Sequence, residues 1–117
     1  MQEKTKFTYR PPFAKQELEC YLSLVRYSCN NRTAIQLYYY NHEFKNYMPY
    51  ATLTVNIPEV TPSNNHCVFL DINNCPWVLH LLIAILHIGE LTNNVASSGF
   101  CTYPEIEINP DELCKYC

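Results

Sequence analysis

The last four residues place two cysteines at a spacing that metal and redox sites use. Cys114 and Cys117 are separated by Lys115 and Tyr116, and this spacing allows both thiolates to reach one tetrahedral zinc ion. A closed structural zinc site takes four ligands, and no second Cys-x-x-Cys pair occurs in the sequence. We therefore expect no cofactor. A small zinc-stabilised domain with Cys114 and Cys117 as ligands remains an alternative.

Two histidines in an apolar segment are the next candidates for chemistry. His80 and His87 are seven residues apart, which puts them on one face of a helix. Seven residues rise about 10 Å along the helix axis, so both imidazoles cannot ligate one ion, and we expect them on the least buried side of the helix. Two glycines in the whole chain are too few for a glycine-rich phosphate loop. These features predict a protein that is not an enzyme.

Tyrosines and carboxylates are the candidate binding residues. The chain has ten tyrosines, and exposed tyrosines without neighbouring Lys or Arg suit a protein interface better than base stacking. Acidic side chains near the C-terminus would extend such a surface. The predicted binding residues are Tyr38, Tyr40, Tyr47, Tyr50, Glu105, Glu107, Asp111 and Glu112.

The charge distribution argues against nucleic acid as a direct partner. Residues 1–32 carry six basic and three acidic side chains, net +3, whereas residues 33–117 carry two basic and eight acidic ones, net −6. Phosphate binding usually needs a basic stripe, and the larger segment has the opposite sign. We expect a protein partner and no direct binding of nucleic acid.

The predicted location is the cytoplasm. Residues 1–15 mix charges with two prolines and lack the apolar centre of an export signal. The longest apolar run, residues 77–88, has twelve residues, against about twenty needed to cross a bilayer, so we expect no membrane association. The seven cysteines are then expected to be reduced and mostly buried.

Alternating side chains predict antiparallel strands in an α+β fold. We expect one antiparallel sheet of four to five strands packed against one apolar helix, with residues 1–16 as an N-terminal arm and residues 17–117 as a single α+β domain. The predicted strands cover residues 17–28, 33–40, 50–57, 67–71 and 99–108, a turn joins the first two at residues 29–32, and residues 91–98 are a polar loop.

The predicted helix is the least ordinary element. Pro76 suits the first helical position, the apolar run from Trp77 to Ile88 would form the helix, and Gly89 would end it. Since this run has almost no polar face, we expect the N-terminal arm, through Phe7, Tyr9 and Phe13, or else a partner to cover it. Asn109 and Pro110 predict a last short helical turn.

Three stretches resemble a family of proteins of unknown function. They are Tyr-Ala-Thr-Leu-Thr-Val-Asn-Ile-Pro at residues 50–58, Asp-Ile-Asn-Asn-Cys-Pro-Trp at residues 71–77 and Ser-Gly-Phe-Cys-Thr-Tyr-Pro at residues 98–104. The chain resembles, over residues 18–114, small proteins that conjugative elements and prophages of low-GC Gram-positive bacteria encode. Helices at the position of residues 77–88 tend to be amphipathic and acidic in such proteins, whereas this one is nearly all apolar.

The resemblance implies a genetic setting rather than a reaction. Small proteins of phages and conjugative elements often inhibit host defence nucleases by occupying a surface. The resulting hypothesis is a non-enzymatic, anti-CRISPR type inhibitor that binds a nuclease such as Cas9, or its guide complex, inside the bacterial host cell. The alternative, from a different class, is a structural or regulatory protein-binding module of a mobile element that forms a homodimer through the apolar helix.

Overall fold

Two four-stranded antiparallel sheets make up most of the chain, whose computed structural model describes residues 6–12 and 14–117. The first sheet has the strand order β1-β2-β3-β4 and the second β5-β6-β8-β7. None of the described helices is long and apolar enough to cross a membrane. The strands are β1 (Phe7–Tyr9), β2 (Leu18–Arg26), β3 (Thr33–Asn41), β4 (Asn46–Thr52), β5 (Thr54–Val55), β6 (Cys67–Leu70), β7 (Gly89–Ser98) and β8 (Cys101–Ile108).

The antiparallel character of the fold is confirmed, but the layout differs from the predicted one. We expected one sheet of four to five strands against one apolar helix, and the described chain is predominantly β, with two sheets and little helix. The main core lies between the inner faces of the two sheets. It contains Leu22 and Leu37, which pair across the first sheet, and Ile106 from the second.

The β2–β3 hairpin follows the predicted alternation closely. Cys20, Leu22 and Leu37 are fully buried on one face, whereas Tyr21 and Tyr38 pair on the other. The turn between the strands closes with a hydrogen bond from the Tyr27 amide to the Arg32 carbonyl (2.9 Å), and Asn31 there takes a positive φ of 57°, which Asn tolerates better than most residues.

The predicted strand over residues 50–57 is split between the two sheets. Leu53 is fully buried and lies between β4 and β5. Its amide donates to the Ile35 carbonyl (2.8 Å), and its carbonyl accepts from the Asp71 amide (2.9 Å). The backbone of Leu53 therefore hydrogen-bonds β3 of the first sheet through its amide and the residue after β6 of the second sheet through its carbonyl. Side-chain alternation continues through this crossing, so the pattern could not reveal it.

The apolar run forms a shorter and wider helix than predicted. A π-helix covers His80–Ile85, with the Leu86 amide bonded to the Leu81 carbonyl five residues back (2.9 Å). The left-handed residue after it is His87 (φ 54°), not Gly89, which already belongs to β7. The prediction that Gly89 ends the helix is therefore wrong. Both His80 and His87 are exposed, as expected.

The predicted polar loop at residues 91–98 is wrong, because these residues belong to the edge strand β7. Residues of an edge strand have solvent on one side, so they need not be apolar. A register shift between Leu91 and Val95 interrupts the pairing with β8, and Asn93 there has a positive φ of 73°. Because of this bulge and the polar composition, the sequence of β7 lacks the regular alternation of apolar and polar residues that indicates a strand.

Both ends of the described chain pack against the body of the protein. β1 pairs with residues Leu18–Cys20 of β2, and the Tyr9 ring lies 5.7 Å from Trp77 at the start of the helical segment. The N-terminal segment thus covers part of the helical region, which is one of the two covers expected for it. Phe13 lies outside the described residues. The short helix α1 (Pro110–Leu113) begins as predicted, with the Asn109 side chain accepting from the Asp111 and Glu112 amides.

Candidate functional site

Four tyrosines form a contiguous patch on the outer face of the first sheet, here called the tyrosine face: Tyr21, Tyr38, Tyr40 and Tyr47. Tyr21 stacks parallel on Tyr38, its cross-strand partner, with ring centroids 5.1 Å apart. Tyr47 meets Tyr21 edge to face at 5.0 Å and Tyr40 at 5.2 Å. The sheet register brings these rings together, since Tyr40 and Tyr47 are also directly opposite each other.

A hydrogen bond and a cation hold Tyr47, the ring of the tyrosine face that contacts both Tyr21 and Tyr40. The Tyr47 hydroxyl donates to the Glu19 carboxylate (2.7 Å), and the Lys6 ammonium lies 4.9 Å from the centroid of the same ring. Burial, helped by the bond to Glu19, raises the pKa of Tyr47 above its ordinary value, so this hydroxyl remains a donor. Rings held in place lose little rotamer freedom on binding, which favours an interface.

Tyr50 does not belong to the tyrosine face. A bulge between Leu37 and Tyr38 shifts the register of β4, and the Tyr50 ring instead meets Tyr39 at 5.6 Å and Trp77 at 6.1 Å. Tyr39 packs against the main core, so Tyr50 lies on the inner side of the sheet, where its side chain is still 39% exposed. The structure therefore brings together three of the four predicted tyrosines and separates the fourth.

The predicted acidic residues do not form one surface. Glu105 is 1% exposed, and its carboxylate accepts bonds from the Ser63 amide (2.9 Å), the Ser63 hydroxyl (2.7 Å), the Thr92 hydroxyl (2.7 Å) and the Asn94 amide group (3.4 Å). Burial raises the pKa of Glu105, but these hydrogen bonds together outweigh it and lower the pKa below its ordinary value. Glu105 is thus a buried, ionised anchor for residues 63 and 92–94.

The other predicted carboxylates are separate from the tyrosine face. Glu107 is exposed on β8 of the second sheet, opposite Glu90 of β7. Asp111 and Glu112 lie in the first turn of α1, and Glu112 forms an ion pair with Lys115 (2.9 Å). These three residues belong to the second sheet and the C-terminal helix, whereas Tyr38 and Tyr40 belong to the first sheet.

The two C-terminal cysteines differ in burial. Cys114 is exposed, whereas Cys117 is partly buried against the main core. The Tyr116 carbonyl accepts a bond from the Leu22 amide (2.9 Å), which ties the tail to β2 beyond the end of β1. Within residues 6–12 and 14–117, no group of three or more His, Cys, Asp or Glu side chains is arranged to hold a metal ion.

Sequence reasoning missed two surface features. Tyr21 belongs to the tyrosine face, and the Asn-rich turn could have revealed this, because it fixes the hairpin register that pairs Tyr21 with Tyr38. The edge strand β7 exposes Leu91 (52%) and Val95 (60%), and Phe100 at the tip of the β7–β8 hairpin is fully exposed. No sequence signal identified this edge, because residues 91–98 have the composition of a loop.

A family model matches most of the chain. The match covers residues 21–117 and is described as a domain of unknown function, DUF4313. The chain belongs to the DUF4313 family. The match begins within β2 and includes β3 to β8 and α1, and so it leaves out β1 and the first three residues of β2. No curated protein and no solved structure is significantly similar to this DUF4313 chain.

Proposed function

We propose that this DUF4313 protein is a non-enzymatic protein-binding domain whose interface is the tyrosine face. The observation that carries the proposal is the packing of Tyr21, Tyr38, Tyr40 and Tyr47 into one ring cluster on an outer sheet surface. Tyrosine supplies a large contact area and a polar hydroxyl with few rotatable bonds, which is why it is enriched at interfaces. Because these rings already touch one another, a partner would find the surface largely preformed.

The partner we propose is a host defence nuclease of the CRISPR type, such as Cas9 or its guide complex, which the domain blocks sterically. Two observations support this choice. The resemblance to small proteins of conjugative elements and prophages suggests an anti-defence role. The net charge of −6 over residues 33–117 would attract the domain at long range to a nuclease, because proteins that bind nucleic acid carry basic grooves, and this attraction does not require the carboxylates to lie in the tyrosine face.

A cleavage assay tests this proposal. The purified protein is added to a guide-loaded Cas9 nuclease and the cleavage rate of target DNA is measured. We expect inhibition by the wild type and its loss in a Tyr38→Ser/Tyr40→Ser variant, since hot-spot tyrosines typically contribute about 2 kcal/mol or more each. The control is Phe100→Ser, which removes an exposed aromatic ring from the other sheet. Undiminished cleavage in the presence of excess wild-type protein refutes the nuclease as the target.

The edge strand β7 favours a homodimeric binding module as the second candidate function. The bulge between Leu91 and Val95 blunts the first part of this edge. Residues 95–98 follow the bulge as a regular edge that has neither Lys nor Pro and exposes Val95, and such an edge is a template for pairing with another strand. A dimer would form by pairing of β7 with β7 of a second copy, rather than through the apolar helix. Sedimentation velocity tests it, because Val95→Lys should give a monomer and Tyr38→Ser should not change the mass.

A further inference from the structure

An open groove of about 840 Å³ lies between the Tyr27–Arg32 turn of the first sheet and the loop at residues 61–66 of the second. Its volume is in the range of small-molecule sites, about 300–1,000 Å³. Both arginines of the β2–β3 hairpin, Arg26 and Arg32, line it. The exposed side chains of Asn31 and Asn65 add amide groups to its walls.

Arg26 is held so that one side of its guanidinium is open. Its Nη1 donates to the Asn31 carbonyl (3.3 Å) and to the Thr33 hydroxyl (3.1 Å). Within the part of the chain that the structure describes, Nε and Nη2 have no partner. These two N–H groups form the fork that grips a carboxylate or phosphate with two parallel bonds. The bonds of Nη1 fix this fork in the groove.

Arg32 is the second cation of the groove, and its guanidinium donates hydrogen bonds to backbone carbonyls, which are neutral. Its Nη1 donates to the Ile57 and Val60 carbonyls, both at 2.8 Å, which ties the start of the loop to the hairpin. Neither Arg26 nor Arg32 has an ion pair to a described carboxylate. Among the described residues, no salt bridge therefore competes with an anionic ligand for either guanidinium.

The groove differs in charge from the rest of the molecule. The chain has eleven acidic residues and a net charge of −3, yet none of the described residues that line the groove is Asp or Glu. Glu105 bonds Ser63 of the groove wall, but this carboxylate is buried and surrounded by its own donors. The groove therefore concentrates positive potential in a protein that is otherwise acidic.

We propose that this groove binds a small-molecule oxyanion, with the fork of Arg26 gripping a phosphate or carboxylate group. The positive charge of Arg32 adds long-range attraction, and the amides of Asn31 and Asn65 bond neutral parts of the ligand. The groove involves the opposite end of the hairpin from Tyr38 and Tyr40, so this site does not depend on the protein-binding role of the tyrosine face.

Amide chemical-shift titrations by NMR test the proposal. The probes are inorganic phosphate, ATP and citrate, each balanced against NaCl at constant ionic strength, so that phosphate and carboxylate ligands are distinguished. We expect saturable shifts confined to groove amides such as those of Asn31, Thr33 and Asn65 with at least one probe. Since a charge-assisted bond contributes about 1.5–3 kcal/mol, Arg26→Gln should weaken binding by about tenfold or more.

Two further variants make the result decisive. Arg26→Lys keeps the charge without the fork, so it should bind more weakly than the wild type and more tightly than Arg26→Gln. Arg10→Gln removes the same charge from an exposed arginine that bonds the Ala14 carbonyl outside the groove, and it should bind like the wild type. The proposal is overturned if no probe saturates up to about 10 mM, or if Arg26→Gln and Arg10→Gln have equal effects.

Discussion

The buried carboxylate of Glu105 gives the sharpest test of how the second sheet is held together. Replacing it in Glu105→Gln removes the charge but keeps the shape. The amide oxygen can still accept from the Ser63 amide, and the new NH₂ group can donate to the Ser63 and Thr92 hydroxyls, because hydroxyls also accept. The Asn94 side-chain NH₂ group, 3.4 Å from Oε1, then faces a donor there and keeps only the Ser63 hydroxyl (2.7 Å) as an acceptor. We expect a loss of about 2 kcal/mol in the free energy of unfolding at pH 7.

Urea unfolding followed by circular dichroism measures this loss. At an m value of about 2 kcal/mol/M, the midpoint should fall by about 1 M. The matched control is Glu107→Gln, two residues along the same strand. Glu107 is exposed opposite Glu90, so removing its charge should leave the stability unchanged or raise it by about 0.2–1 kcal/mol, since like charges opposite each other repel.

The pH dependence separates the charge from the shape of the side chain. The pKa of Glu105 is lowered from its ordinary value of 4.5, so the folded state binds its proton less readily than the unfolded chain does. Its contribution to stability is therefore complete above about pH 4.5 and is lost as the pH falls through the lower folded pKa. The difference between wild type and Glu105→Gln should be constant near neutral pH and shrink in acid. A difference that is absent, or equal at all pH values, would refute this account.

Three further predictions concern the backbone and the thiols. Gly89→Ala should lower stability by about 1–3 kcal/mol in urea unfolding, because a Cβ there would lie 3.0 Å from the Glu107 carbonyl oxygen, a backbone atom; an unchanged midpoint contradicts the close packing. His87→Gly should raise the melting temperature, since His87 has a positive φ of 54° and glycine removes about 1 kcal/mol of strain. A thiol reagent such as Ellman's should label exposed Cys114 rapidly in the native protein and leave Cys20 unlabelled, because burial and the nearby Glu19 raise the pKa of Cys20 to about 11; rapid loss of the Cys20 thiol in mass spectra would contradict its burial.

The parts of the fold that follow a local rule could be predicted from the sequence. The β2–β3 hairpin follows from side-chain alternation around an Asn-rich turn, and the start of α1 follows from Asn109 and Pro110. Both signals depend on residues close together in the chain, so no tertiary contact is needed to read them.

The parts that depend on distant contacts could not be predicted. Leu53 alternates like its neighbours, and only hydrogen bonds to Ile35 and Asp71 show that the chain changes sheet there. Glu105 looks like an exposed strand residue, and only Ser63, Thr92 and Asn94 make it a buried anchor. Tertiary partners override the local pattern at such positions.

The sequence predicts which type of residue forms the candidate site but not how these residues are arranged. Three of the predicted tyrosines share one face, because strand alternation and the hairpin register are local properties. Tyr50 is separated from them by a bulge between Leu37 and Tyr38, next to the pair formed by Tyr38 and Pro49. A proline within a strand indicates an edge or a bulge, but it does not show which side chains the bulge turns to the other face. The glutamates and aspartate were grouped by their charge alone, and charge does not determine which sheet a residue belongs to.

Site-specific photo-crosslinking in living cells tests the interface most directly. A benzophenone amino acid replaces Tyr40 on the tyrosine face or, as the control, Phe100 at the exposed tip of the second sheet. The protein is expressed in a bacterium with an active CRISPR system, and mass spectrometry identifies what each position captures after irradiation. We expect position 40 to capture the nuclease and position 100 not to capture it. Capture of the nuclease only from position 100, or capture of no protein other than a second copy from position 40, would contradict the proposed interface.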